Sequence, residues 1–326
     1  MTDESVQPVL SHYALARHLV RIEPLANAGG WSGSLLWRIT DATNHAFCLR
    51  RWPTEHPTPQ RLQFIHNVLL HVAPQLPVVP SPQRAHSGTT FIHHAGHLWE
   101  LTNWLPGFAD FHANPTTARL RAAMHALATF HNLAARFQTQ ARPAPAIADR
   151  LHQLQALDRG ELLQIEQAVA TPLDNELDAR ARRMLAALKQ RLQRQLPAGP
   201  GSATSHLPLQ PAIRDIHHDH ILFTGDSVTG LIDFGALRID TPLTDIARLL
   251  GSLVGDDPIA RHSAIDAYSE LRPISEGDRQ LIDWLDQTGL ILGAYNWLKW
   301  LYVERRDMGP TAPIAVRIDE ITRRLM

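Results

Sequence analysis

The sequence predicts an α+β fold in two lobes, a small antiparallel-sheet lobe followed by a larger helical lobe. Three observations carry the prediction. The chain has 326 residues, more than one hydrophobic core usually organises, so about two domains or lobes are expected. Its strand-like runs fall in the first hundred residues and in one short stretch near residue 225. Elsewhere apolar residues recur every three to four positions, the period of a helix with one buried face. Hydrophobic residues make up 44% and charged residues 19%, which makes a sizeable core feasible and excludes a disordered or fibrous chain.

Residues 35–40 (LLWRIT) and 46–50 (AFCLR) are strand-like runs joined by the turn-rich Asp41-Ala42-Thr43-Asn44, and so predict a hairpin. A helix should begin near Pro59, bury Leu62, Ile65, Leu69 and Leu70, and stop before Pro74. Pro77, Pro80 and Pro82 break the chain before two more runs, 89–92 (TTFI) and 97–102 (HLWELT), separated by Ala95-Gly96. The simplest assembly is a small antiparallel sheet with one helix. Pro106-Gly107 marks its end, so residues 1–105 are read as the first lobe, with a hinge near 100–105, and residues 106–326 as the second.

In the second lobe, residues 117–137 place Leu120, Met124, Leu127, His131 and Ala134 on one helical face. A further helix carries Leu177, Ala181, Leu185, Leu188 and Leu192. Its arginines, among them Arg180, Arg182 and Arg183, read as a solvated face rather than a nucleic-acid stripe. Residues 197–202 (PAGPGS) are a loop by composition. Helices return after residue 242, with Ser275 and Asp278 placed as a capping pair.

The balance of 31 Lys and Arg against 32 Asp and Glu leaves a net charge of -1, so no bulk attraction to nucleic acid or to an anionic membrane is expected. The opening MTDESVQPVLSHY has acidic residues and no apolar stretch of signal-peptide type. No window approaches the ~20 apolar residues of a membrane-spanning helix. The single cysteine, Cys48, cannot form an internal disulfide and sits in an apolar strand, which fits inert core in a reducing cytoplasm.

The chemistry concentrates in residues 213–250, IRDIHHDHILFTGDSVTGLIDFGALRIDTPLTDIARLL. Two carboxylates, Asp215 and Asp233, stand at adjacent loop ends around a predicted hairpin. One can accept a proton from an attacking hydroxyl while the other holds a divalent cation against phosphate oxygens, the division of labour that phosphoryl transfer requires.

On these residues the chain resembles the aminoglycoside phosphotransferase and choline kinase-like branch of the protein-kinase fold. The resemblance implies a two-lobed kinase-like fold, with ATP or another nucleoside triphosphate as phosphate donor, magnesium or manganese as cofactor, and a small-molecule hydroxyl as acceptor. It aligns Asp215 with the catalytic aspartate, His220 with a metal-binding asparagine five residues on, and Asp233 with the metal-binding aspartate of the Ile232-Asp233-Phe234-Gly235 motif. Asp245 aligns with an aspartate that braces the catalytic loop. In the small lobe it implies a phosphate-covering loop at Gly29, Gly30 and Gly33, a phosphate-pairing cation at Arg50, and an adenine contact at the hinge through Glu100 and Thr102.

The sequence departs from the family pattern in three ways. Ile213 stands where a histidine is usual, and His220 where asparagine is, so that Asp233 is expected to carry most of the metal. No acidic residue lies between Glu55 and Glu100, so the small-lobe helix has no glutamate to pair with Arg50. Gln63 and His66 are its candidates for orienting that side chain. These departures motivate the competing class, a pseudokinase that keeps the fold as a binding or regulatory module without transfer.

Other features have plainer readings. The run His217-His218-Asp219-His220 comes close to a metallo-hydrolase signature, but such a zinc site wants three or more protein ligands, and His262 is the one later histidine. His131 reads as a satisfied histidine on a packed helix. The aromatics Tyr295, Trp297, Trp300 and Tyr302 fall at helical spacing and read as core, with Trp297 or Trp300 as a minority candidate for a wall of the acceptor pocket.

Overall fold

The structure, a computed structural model, describes residues 6–14, 19–25, 33–171, 173, 176–194 and 207–326. The chain divides into two compact units, residues 1–138 with 213–238, and residues 139–212 with 239–326. Gly29 and Gly30 lie outside the described residues, as does the loop expected at 197–202.

The first unit opens with the short helix α1 (Gln7–Leu10), followed by β1 (Leu19–Pro24), β2 (Leu35–Asp41) and β3 (Ala46–Arg51). Then come α2 (Pro59–Val72), β4 (Phe91–His94), β5 (His97–Asn103) and α3 (Thr117–Phe137). The strands form one antiparallel sheet in the order β1-β2-β3-β5-β4. The β2–β3 hairpin turns where expected. The Asp41 carboxylate accepts from the Thr43 N–H, the Thr43 hydroxyl and the His45 N–H at 2.8–2.9 Å, and Asn44 takes the left-handed φ of 63° that short polar side chains tolerate.

The period of two splits the sheet's side chains between two faces. Trp37, Ile39, Leu49, Trp99 and Leu101 share one face, pack with Val9, Leu10 and Tyr13, and form the core. Trp37 and Trp99 stack there with ring centroids 5.4 Å apart. On the other face stand Cys48 and Thr102, paired across β3 and β5, and the next pair, Arg50 and Glu100. Helix α2 rests on this second face through Leu62, which packs with Leu98, Phe91 and Trp52. It starts at Pro59 because Thr58 caps it, the hydroxyl accepting from the Arg61 N–H at 3.2 Å. The next helix, α3, is capped likewise by Thr116 and buries Leu120, Met124, Leu127, His131 and Ala134 as predicted.

The chain passes into the second unit through β6 (Gln140–Arg142), α4 (Pro145–Ala156), α5 (Leu162–Ala170), α6 (Leu177–Gln193) and β7 (Leu207–Ala212). It returns to the first unit for one 3₁₀ turn at His218–His220 and the hairpin of β8 (Ile221–Thr224) and β9 (Ser227–Leu231). It ends in β10 (Arg238–Asp240), α7 (Leu243–Leu253), α8 (Pro258–Ser269), α9 (Glu276–Leu298) and α10 (Thr311–Leu325). The order β10-β7-β6 makes a three-stranded sheet. Helix α9 begins at the Ser275/Asp278 capping box. The arginine face of α6 is tied to α10, with Arg180 Nε 2.9 Å from Asp319. Tyr295, Trp297 and Tyr302 are buried, in agreement with the core reading of that aromatic run, whereas Trp300 is only half-buried and has the Arg306 guanidinium over its ring. No helix among the described residues is long and apolar enough to cross a membrane.

Candidate active site

Three local structures of the first unit supply the candidate residues. Strand β3 presents Arg50, the segment between β7 and β8 presents Asp215 and His220, and the turn after β9 presents Asp233. Ile213 and Ile216 are buried and pin the segment to the core on both sides of Asp215, which is exposed. The position where a histidine brace was missing is therefore an apolar anchor. Arg214 (φ 74°) and Asp233 (φ 59°) both take the left-handed backbone region, each at a cost of ~1–3 kcal/mol for a side chain other than glycine. Beyond Asp233, Phe234 is buried and its ring lies 5.5 Å from that of Phe130 on α3. Gly235 is closely packed: a Cβ there would stand 3.0 Å from the Trp52 ring, which would have to give by a few tenths of an ångström.

Asp233 is the meeting point. Arg50 Nη1 donates to its Oδ1 at 3.2 Å, and the other oxygen lies 3.7 Å from His220 Nε2. Burial works to raise the Asp233 carboxyl, but the Arg50 charge, His220, and the hydrogen bonds from Arg50 and the Gly235 N–H together hold it below its ordinary value. Arg50 is also desolvated, and the charges of Asp233 and Glu100 more than offset this and raise it. Its guanidinium lies over the Trp52 ring, 4.5 Å from the centroid.

His220 Nδ1 donates to the Asp215 carbonyl oxygen at 2.8 Å, which leaves the Nε2 lone pair on the side of Asp233. Burial, and then neighbouring His217, push the imidazole below its ordinary value against the pull of Asp233 and Asp215. A neutral imidazole held by a carbonyl on one nitrogen offers the other as a ligand. Asp233 and His220 thus fit a divalent cation that brings most of its oxygen ligands with it, from water and from phosphate.

The other expected residues fall as follows. Gly33 is described and takes φ 72°. Thr102 shares the sheet face of Arg50, and so does Glu100, whose side chain is buried against α2. Of the two helix residues expected to orient Arg50, Gln63 instead donates to Asn67 on the exposed side at 2.9 Å. His66 is turned inward but reaches Glu100 rather than Arg50. Trp52 was not singled out from the sequence. The alternation Cys48, Arg50, Trp52 is the signal that could have found it.

His217, His218 and Asp219 bring one ligand atom each within 4.8 Å of one another. His262, the later histidine that a hydrolase site would have required, is engaged with Asp266 in the second unit at 3.2 Å. A cavity of about 520 Å³ in the first unit, lined by Phe108, Asp110, Arg119, Phe223 and Asp226 among others, contains none of the predicted site residues.

Known proteins resemble the chain both in fold and in sequence. The fold is similar to the crystal structure of an aminoglycoside phosphotransferase from Alicyclobacillus acidocaldarius, with TM-score 0.65 and 17% identity over 98% of this chain and 93% of that one. It is similar also to a spectinomycin phosphotransferase in complex with ADP and spectinomycin, with TM-score 0.65 and 10% identity over 100% and 97% of the two chains. These likenesses show the protein-kinase-like fold. By sequence the chain is 24% identical over 246 residues to a homoserine kinase of Brucella anthropi, covering 73% of this chain and 69% of that protein. Residues 23–284 match the phosphotransferase enzyme family, and over that span, most of its length, the chain belongs to it.

Proposed function

We propose that this phosphotransferase moves the terminal phosphoryl group of ATP, or of another nucleoside triphosphate, to a hydroxyl of a small molecule, with Asp215 as general base, Asp233 and His220 as holders of a divalent cation, and Arg50 on the phosphates. The observation that carries the reading is the convergence of Arg50 and His220 on the Asp233 carboxylate, with Asp215 on the segment that His220 grips by a backbone hydrogen bond. Residues 1–105 are the proposed nucleotide lobe. The sheet face that bears Arg50 and Thr102 takes the nucleotide, Gly33 belongs to the loop over its phosphates, and the stretch near 100–105 is the hinge. Residues 106–326 carry the catalytic segment and the acceptor pocket, in a cytoplasmic protein.

In this mechanism Asp215 accepts the proton of the acceptor hydroxyl as its oxygen attacks the terminal phosphorus, and the bond to the nucleotide's bridging oxygen breaks. Arg50 is charged throughout and faces the phosphates as a rigid donor fork. Asp233 and His220 would hold magnesium or manganese, which would supply charge neutralisation for the phosphates. His220, neutral and fixed by the Asp215 carbonyl, replaces an amide ligand with an imidazole, a change that suits manganese better than magnesium. The family is one of enzymes, and none of the departures found in the sequence favours a module without transfer: Ile213 anchors the loop, His220 faces Asp233, and Arg50 is paired.

The test is phosphate transfer from ATP with magnesium or manganese to a panel of hydroxylated acceptors. Homoserine and aminoglycosides belong on it, as the alcohols on which similar proteins are named to act. Asp215→Asn should lower turnover by ~10²-fold or more with nucleotide affinity nearly intact. Undiminished turnover in that variant would remove Asp215 from the mechanism.

A further inference from the structure

We infer that Glu100 and His66 are positioning residues for Arg50, a buried relay that holds the guanidinium for the nucleotide and competes with its pairing to Asp233. The inference rests on the nucleotide reading of Arg50 given above and adds two residues to it. Helix α2 carries no acid in its first turn and none along its sequence PQRLQFIHNVLLHV, so any carboxylate behind Arg50 must come from elsewhere. It comes from β5. Glu100 and Arg50 are direct cross-strand partners, so their side chains leave the sheet on the same face, with Cβ atoms ~5 Å apart. Glu100 is only 8% exposed, and a carboxylate this buried requires a partner.

His66 meets that requirement. Its Nε2 donates to Glu100 Oε2 at 2.5 Å, and its Nδ1 lies 2.7 Å from the Thr90 hydroxyl. The imidazole is wholly buried and Thr90 nearly so. Thr90, His66 and Glu100 form a line of hydrogen bonds that ends in the carboxylate paired across the strands with Arg50, whose guanidinium that charge helps to keep protonated. A network with every member satisfied is rigid. Arg50 therefore stands between two carboxylates, Glu100 fixed inside the lobe and Asp233 at the site. When Asp233 turns an oxygen to a cation it must loosen its hold on Arg50, and Glu100 is what remains to balance the guanidinium. Without the Glu100 charge, Arg50 would keep Asp233, and nucleotide with cation would have to break that pair to bind.

The experiment is calorimetric binding of a non-hydrolysable ATP analogue, with and without magnesium, to the wild-type chain and to three kinds of variant. Arg50→Ala tests the nucleotide reading. Glu100→Gln removes the charge. The double variant His66→Leu/Glu100→Met removes the relay and leaves an apolar pair, which buried ion pairs commonly tolerate without loss of folding, so it reports on positioning even if Glu100→Gln fails to fold. The expected result is that Arg50→Ala weakens binding, and that Glu100→Gln and the double variant each weaken magnesium-dependent binding by about tenfold, as a coupling between neighbouring charges of ~1.4 kcal/mol implies. Half-saturation with magnesium should shift upward, while binding without magnesium changes less. His66→Gln, which can still donate to Glu100 and accept from Thr90, should lose less than the double variant. If Arg50→Ala weakens binding and the folded double variant binds like wild type, the relay is overturned and the nucleotide reading stands. If Arg50→Ala itself binds like wild type, the nucleotide reading falls and the relay with it.

Discussion

Cys48 is a residue whose chemistry is set by its neighbours in space. It alternates with Arg50 on the same sheet face, and burial raises its thiol to about 11 despite the nearby guanidinium. The thiolate is the reactive form, so labelling by iodoacetamide should be slow at pH 8 and climb about tenfold per pH unit through pH 10 without levelling. A plateau near pH 9 would show an ordinary exposed thiol. At Asp233 the balance falls the other way: burial works to raise the carboxyl, and the Arg50 charge beside it helps to hold it below its ordinary value. That Cys48 and Arg50 share a face follows from a strand alternation that is written in the sequence. That Arg50 meets Asp233 is not written there, since the two lie far apart along the chain.

Among elements, the packing of α7, α9 and α10 in the second unit shows how one small residue and one buried charge fix a junction. Asp286 on α9 is 8% exposed and accepts from Arg261 at 2.9 Å and from Arg324 at 2.8 Å. Gly251 on α7 makes room for this cluster, since a Cβ there would lie 2.3 Å from the Asp286 carboxylate. Replacing Asp286 by Ala leaves two guanidinium groups without their shared partner. Because Arg324 keeps Asp256 and Arg261 keeps Asp283, the loss should be ~1–3 kcal/mol in urea unfolding, and a loss below ~0.5 kcal/mol would mean that the cluster is solvated. The helix ends were legible for local reasons. Thr58 with Pro59 and Ser275 with Asp278 are capping signals complete within four residues. Strand β7, with prolines at 208 and 211, was not legible, because proline argues against a strand interior and only the partners β6 and β10 on either side make it one. Helices α4 and α5 were hidden in the same way by the break at Gly160, where φ is 124°.

For the whole molecule, the proposed site implies linkage between folding and ligand. A nucleotide that binds only the native chain should raise its unfolding free energy by ~2.7 kcal/mol at a hundred times its dissociation constant. The rise should be larger with a divalent cation and lose that increment in Asp233→Asn, and a thermal shift of equal size with and without metal would detach Asp233 from the cation. The sequence by itself determined the alternation of sheet and helix, the capped helix ends and the linked spacing of Asp215, His220 and Asp233, because each of these is written in residues near one another along the chain. The tertiary structure decided what those residues face. It set Arg50 against an aspartate 183 positions away, gave Glu100 a histidine from α2, and carried the segment bearing Asp215 and His220 back into the unit formed by residues 1–138. Contacts of this kind come from the packing of distant segments, and the energy of burying apolar faces depends on area and leaves no periodic mark to say which segments will meet.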